Sequence, residues 1–348
     1  MSKYATRMGD GFPVEMSDAE IRKDVEEGVA DAAKRAKIAP LSADHVRYLT
    51  ELFERPDRAV GVERGNEVIL SYDSATTKFK RGNVSVSKIQ SLQIYERLLG
   101  ADILELAHID YSFKPVKPIV VFEQPILEQA LLMTIPPLFY GAMPNLGLYS
   151  QPDGPCPNPG DLLPKGLIAE ARASYAEQIE HSVKDMSYVA SSMYEAGADG
   201  INFDTTAAAG DAEFFATLKA IEGLKKKYPG MCVQMGMASE FVLGMHGELF
   251  YNGVRLAGLY PHRQLELAQQ VGVSIFGPAI NIVSSRSLAW NTARSATFIK
   301  ACTDIARIPV HACVGMGVCG VPLTLTVPID ALTRASKALV DICRLDGL

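Results

Sequence analysis

The side chains best placed for chemistry are the polar ones at or just after short apolar runs, because a strand-to-helix turn is where a βα unit presents its working surface. They are His108, Asp110 and Tyr111 at ILELAHI (103–109), Tyr140 and Asn145 at PLFYGAM (137–143), and Asp204 in GINFDTT (200–206). Glu240 follows CVQMGMA (232–238), Asn281 follows VSIFGPAI (273–280), and His311 lies in PVHACVGMG (309–317). The two carboxyls, Asp204 and Glu240, could hold a cation or deliver a proton. Each also has a plainer reading. Asp204-Thr205-Thr206 could cap the turn before the next helix, and Glu240 could open a helix whose dipole suits its charge. His108 and Asp110 fall on one face of a strand, where a hydrogen bond between them could serve a relay or simply structure. No HExxH or close pair links His108, His246, His262 and His311, so no metal site is expected. Val314-Gly315-Met316-Gly317 with Gly320 could offer backbone N–H groups to a phosphate or form a plain turn. Met235, Met237, Met245 and Met316 read as core.

The elements that must position these residues fall into two regions. Residues 1–98 read as an N-terminal cap of helices and hairpin. Ser17 with Glu20 is a capping box opening a charged helix to about Lys37, a second helix follows Ser42 and stops at Pro56, and EVILSYD and NVSVSKI, separated by the polar TTKFKRG, read as a β-hairpin or two short strands. Residues 99–348 repeat an apolar run, a turn and an amphipathic helix, which means a parallel sheet covered by helices. Later units begin near residues 199, 232, 273, 309 and 346, a spacing that suits a (β/α)8 TIM barrel with long loops. No GxGxxG follows the first run, which argues against a dinucleotide-binding sheet. Asp211 is expected to cap a helix that ends in Lys225, Lys226 and Lys227. The Pro/Gly-rich stretch 143–166 is long for a βα loop, which suggests a lid, a docking surface or a subunit contact.

The end of the chain repeats an internal pattern. Cys343-Arg344-Leu345-Asp346-Gly347-Leu348 parallels Ala196-Gly197-Ala198-Asp199-Gly200-Ile201, the entry into GINFDTT, so the sequence stops as a seventh strand opens. A barrel lacking strands cannot close, so an incomplete barrel and a truncated chain are expected.

The 348 residues carry 34 basic and 40 acidic side chains, a net charge of −6, and no basic run longer than three lysines, which argues against nucleic-acid binding. No apolar stretch is long enough for a membrane span and no signal-peptide core is present, so a cytoplasmic protein is expected. Six scattered cysteines with no CxxC pair read as buried thiols.

Several motifs are specific enough to suggest a family. HIDYSFKPVKP (108–118), PLFYGAMPNLGLY (137–149), PDGP with NPGDL, GADGINFDTT (197–206), GMASEFVLGMHG (236–247), LAGLYPH (256–262), FGPAIN (276–281) and PIDALTRASKALV (328–340) together resemble the dimethylamine:corrinoid protein methyltransferases, from Arg7 to Leu348. The resemblance implies a TIM barrel that transfers a methyl group from dimethylamine to the Co(I) corrinoid of a cognate partner protein in methylamine metabolism, releasing monomethylamine. It implies no cofactor bound directly by this chain and a homo-oligomer. It also implies a pyrrolysine immediately after Leu348, read from an amber codon, whose imine ring would orient the amine. The 348-residue chain itself is therefore expected to be inactive. Within that chemistry Asp204 and Glu240 are the candidates to stabilise the ammonium and protonate the leaving amine, with His108, Asp110, Tyr111, Tyr140, Asn145, Asn281 and His311 as substrate contacts. Two rivals stay open: a related corrinoid-dependent methyltransferase with another substrate, and a complete non-catalytic protein that binds a corrinoid protein.

Overall fold

The computed structural model describes residues 3–63, 66, 68, 77–79, 84–86, 117–119, 139–244, 248–315, 317–324 and 327–348, with the backbone alone described for 77–79, 84–86, 117–119 and 139–143. The described residues form two compact units, one from within Met1–Ser71 and Gly277–Leu348, the other from within Tyr72–Leu92 and Ile103–Phe276.

The first unit begins with the antiparallel pair β1 (Lys3–Arg7) and β2 (Pro13–Ser17), followed by α1 (Asp18–Ala36) and α2 (Ala43–Glu54). Ser17 and Glu20 form the expected capping box, each satisfying an N–H the first helical turn leaves open, and Ser42 caps α2 the same way through His45 N. Ile21, Val25, Val29, Ala32 and Ala36 make the buried stripe of α1. This stripe packs on the helix Leu288–Thr303, and Gly28 permits the approach: a Cβ there would sit 2.3 Å from the Trp290 carbonyl oxygen. Buried Arg294 of that helix pairs with Asp31 at 2.8 Å, which leaves no charge desolvated alone. In the last helix, Ile329–Cys343, Arg334 donates to the carbonyls of Leu52, Arg55 and Asp57 and so satisfies the open end of α2.

The second unit is a mixed α/β layer. Its five-stranded sheet runs in the order β9 (Ile275–Gly277), β8 (Cys232–Met237), β7 (Gly200–Thr206), β6 (Phe139–Met143), β5 (Lys117–Ile119). β6, β7 and β8 are parallel, as the repeated apolar runs require. α3 (Ile168–Glu195) and α4 (Asp211–Lys227) pack on each other and on β7, and α5 (Pro261–Val271) packs on α4. α6 (Leu288–Thr303) and α7 (Ile329–Cys343) belong to the first unit.

Three local expectations change. The hairpin is β3 (Thr77–Phe79) with β4 (Val84–Val86), so its first strand lies within TTKFKRG, which the sequence reads as the turn. β5 joins β6 antiparallel, from a stretch that no apolar run marks, whereas ILELAHI (103–109) lies outside the described residues. α4 starts one residue after its Gly210 cap, leaving Asp211 as the first helical residue. The parallel between the two strand entries does hold. Gly197 and Arg344 both have positive φ, 107° and 52°, and Gly347 pairs in parallel with His311 as Gly200 pairs with Cys232.

Candidate functional site

The site is built where β6, β7 and β8 end. Alternation along β7 puts Ile201 and Phe203, 1% and 0% exposed, on one face and Asn202 and Asp204 on the other. Asn202 stands in register with Gln234 of β8, so this face of the sheet carries a buried polar pair where the opposite face is apolar. After Phe203 the register slips, and Thr205 and Ala207 take positive φ of 53° and 67°. Such a bulge re-aims the side chains beside it. The Asp204 carboxylate lies over Gly236: a Cβ at that glycine would be 2.3 Å from Asp204 Oδ1. Oδ1 accepts from Thr205 N–H at 2.8 Å. Burial raises the Asp204 pKa above the usual carboxylate value, and the Thr205 N–H opposes this only in part. These residues also hold the turn after β7, Thr206 Oγ1 donating to Phe203 O at 3.1 Å, while α4 begins seven residues after Asp204, at Asp211, with no side-chain cap.

A second carboxyl, this one buried, lies on the helix that follows β7. Glu213, in the first turn of α4, is 1% exposed. Its Oε2 accepts from Leu146 N–H at 3.2 Å, its Oε1 from Ala209 N–H at 3.3 Å, and Ala208 N–H also faces it. Burial, opposed by these donors, pushes its pKa up to about 7. Leu146 belongs to the loop after β6, Ala208 and Ala209 to the loop after β7, so one side chain ties the two loops together. The sequence reading did not choose Glu213. Its signal was an acid in the first turn of a helix, inside the apolar stretch DAEFFA.

Glu240 is 4% exposed in the irregular segment after β8, and no helix starts there. That segment is fixed by its backbone: Asp211 N donates to Leu243 O at 2.7 Å and Val242 N to Leu259 O at 3.1 Å. Asp204 and Glu240 thus follow neighbouring strands, and Asn145, exposed, follows the next one. Tyr140 is in β6 opposite Ile201 by its backbone. His108, Asp110 and Tyr111, with His246, lie outside the described residues.

Asn281 and His311 belong to the other compact unit. Asn281 is exposed and bridges Val318 through its backbone. His311 is held neutral, its pKa pushed down to about 4 by burial, and its Nε2 is buried with no hydrogen-bond partner. In the glycine-rich stretch Gly317, Cys319 and Gly320 lie in a turn, and Met316 is outside the described residues. Gly317, Val318 and Cys319 spend their N–H groups on Pro322, Gly315 and Ile280, which removes them from any phosphate. Burial also lowers the pKa of His262, at the start of α5, and its Nδ1 is buried and unpartnered. Met235 and Met237 are core, as expected.

Among the described residues no helix is long and apolar enough to cross a membrane. A polar strand face with a reluctant acid at its C-terminal rim suits hydrogen bonding to a small amine and proton exchange with its nitrogen. The chain matches the dimethylamine methyltransferase family (Dimeth_PyL) over residues 2–348, nearly its whole length, and belongs to that family.

Proposed function

We propose that the protein moves a methyl group from dimethylamine to the Co(I) corrinoid of a partner protein, with Asp204 as the acid at the substrate nitrogen, within a (β/α)8 architecture. The supporting observation is the Asp204 carboxyl itself: desolvated, seated on Gly236 at the end of β7, and biased toward its protonated form. An amine leaves only as the neutral molecule, so its nitrogen must carry a proton before the C–N bond breaks. Asp204 holds that N–H by hydrogen bond and returns the proton if the nitrogen loses it. When the bond breaks, its electron pair stays on nitrogen and monomethylamine departs. Glu240, buried beside the same rim, is the candidate second contact to the ammonium. Glu213 fixes the loops that shape the rim and is a positioning residue.

The corrinoid would supply the nucleophile, and the imine ring of a pyrrolysine placed after Leu348 would orient the amine. A desolvated carboxyl suits an ammonium, and within the first unit the His311 ring faces the Leu348 backbone with its Nε2 buried and unpartnered.

Asp204→Asn tests this reading in a methyl-transfer assay with dimethylamine and a reduced corrinoid protein. Asparagine keeps the shape and removes the acid, so kcat/KM should fall by about 100-fold to 10,000-fold. Activity within about threefold of wild type would refute the role.

A further inference from the structure

Away from the rim, Cys156 Sγ, a carboxylate oxygen of Glu177 and a ring nitrogen of His181 lie within 4.8 Å of one another. Glu177 and His181 are four residues apart on α3, hence neighbours on one helix face. Cys156 comes from the loop after β6, and its backbone is fixed on both sides: its N–H donates to Tyr149 O at 2.9 Å, and its carbonyl accepts from Gln151 N at 2.8 Å. The loop is held against α3 by Tyr149 Oη donating to Asp185 at 2.7 Å and by Ser174 Oγ donating to Pro157 O at 2.5 Å. The Tyr149 ring also stacks on the His181 ring at 5.6 Å and 16°, which restricts the imidazole to one plane. A thiol, an imidazole and a carboxylate from two elements are therefore held close by these contacts and by their own, Glu177 facing the Cys156 thiol and lying 3.9 Å from His181 Nε2.

We propose that Cys156, Glu177 and His181 bind a divalent cation of the zinc class, with water as the fourth ligand. The donor set is selective, since thiolate and imidazole favour zinc over magnesium or calcium. In a tetrahedral zinc site with bonds of about 2.0–2.3 Å the ligand atoms stand about 3.3–3.7 Å apart. The three atoms here need to close by about 1.5 Å at most. Glu177 is exposed, so its side chain is free to make that move. Without metal the thiol stays protonated, its pKa raised by burial and by Glu177. Metal binding reverses that balance and releases the proton. The bound ion would staple the loop after β6 to α3. That same loop is the one held at Leu146 by Glu213.

The test uses the whole chain, stripped with a chelator and titrated with Co²⁺ as a spectroscopic probe, then with Zn²⁺ in competition. Expected are a thiolate-to-cobalt charge-transfer band in the near ultraviolet, release of one thiol proton at neutral pH, and displacement by zinc. Cys156→Ser should abolish the band. Glu177→Gln and His181→Gln, at more accessible positions, should each weaken cobalt binding on the order of 10-fold to 100-fold while the circular dichroism spectrum stays unchanged. If Cys156→Ser fails to fold, the other two variants decide. No cobalt binding, or binding without the band, or binding that none of the folded variants weakens, would overturn the site.

Discussion

Glu213→Gln removes a titrating group whose behaviour can be worked out in advance. The carboxyl is fully buried and its pKa stands at about 7 against an ordinary 4.5. A raised acid binds its proton more tightly in the folded state, so its stabilising effect is complete below the ordinary pKa and is lost as pH rises through about 7. The difference corresponds to about 3 kcal/mol, most of which disappears between pH 5 and 8. Glutamine does not titrate. It also presents an NH2 group to either Leu146 N–H or Ala209 N–H, leaving one buried donor unsatisfied at a cost of about 1–3 kcal/mol that does not vary with pH. Urea unfolding of both proteins at pH 5, 6, 7 and 8 is the assay. Wild type should lose about 2–3 kcal/mol more than the variant across that range. The raised pKa of Asp204 is common to both proteins and cancels in the difference. Parallel curves would show that Glu213 is already ionised at pH 5 and that its three N–H donors outweigh its burial.

Gly236→Ala is a test of the Asp204 seat, because its Cβ would meet Oδ1 at 2.3 Å and Cγ at 3.2 Å. Asp204 must swing away and lose its Thr205 bond, so methyl transfer should fall about as far as in Asp204→Asn while the protein still folds; kcat/KM within about twofold of wild type would show that the seat is not used. Gly28→Ala places a methyl 2.3 Å from the Trp290 carbonyl, against backbone that a side-chain rotation cannot relieve. The alanine gains about 1 kcal/mol in helix propensity but forces α1 from α6, for a net loss of about 1–2 kcal/mol in urea unfolding. An unchanged or raised midpoint would show that the two helices separate freely.

The elements were legible wherever their causes are local. Ser17 with Glu20, Ser42, and the three lysines that end α4 rest on caps, on the helix dipole and on patterns within a few residues, and those causes are written in the chain. The run GINFDTT also showed β7 and marked Asp204 as a strand-end acid. β5 was not legible, because three residues carry too little pattern to show which strand they join or in which direction. The shifted hairpin at Thr77–Val86 failed for the same reason, since register in a short polar pair comes from the partner strand.

What sequence could not give is the environment of the carboxyls. Asp204 and Glu240 look alike as acids after strands, and Glu213 looks like an ordinary first-turn acid suited to a helix dipole. Only the tertiary structure sets Asp204 on a glycine of the neighbouring strand and aims the N–H groups of residues 146, 208 and 209 at Glu213. It alone brings Cys156 to a helix face 21 residues further along the chain. The physical reason is that caps and periodicity act over a turn or two of chain, whereas desolvation and charge depend on every atom within several ångströms, whichever part of the sequence supplies it.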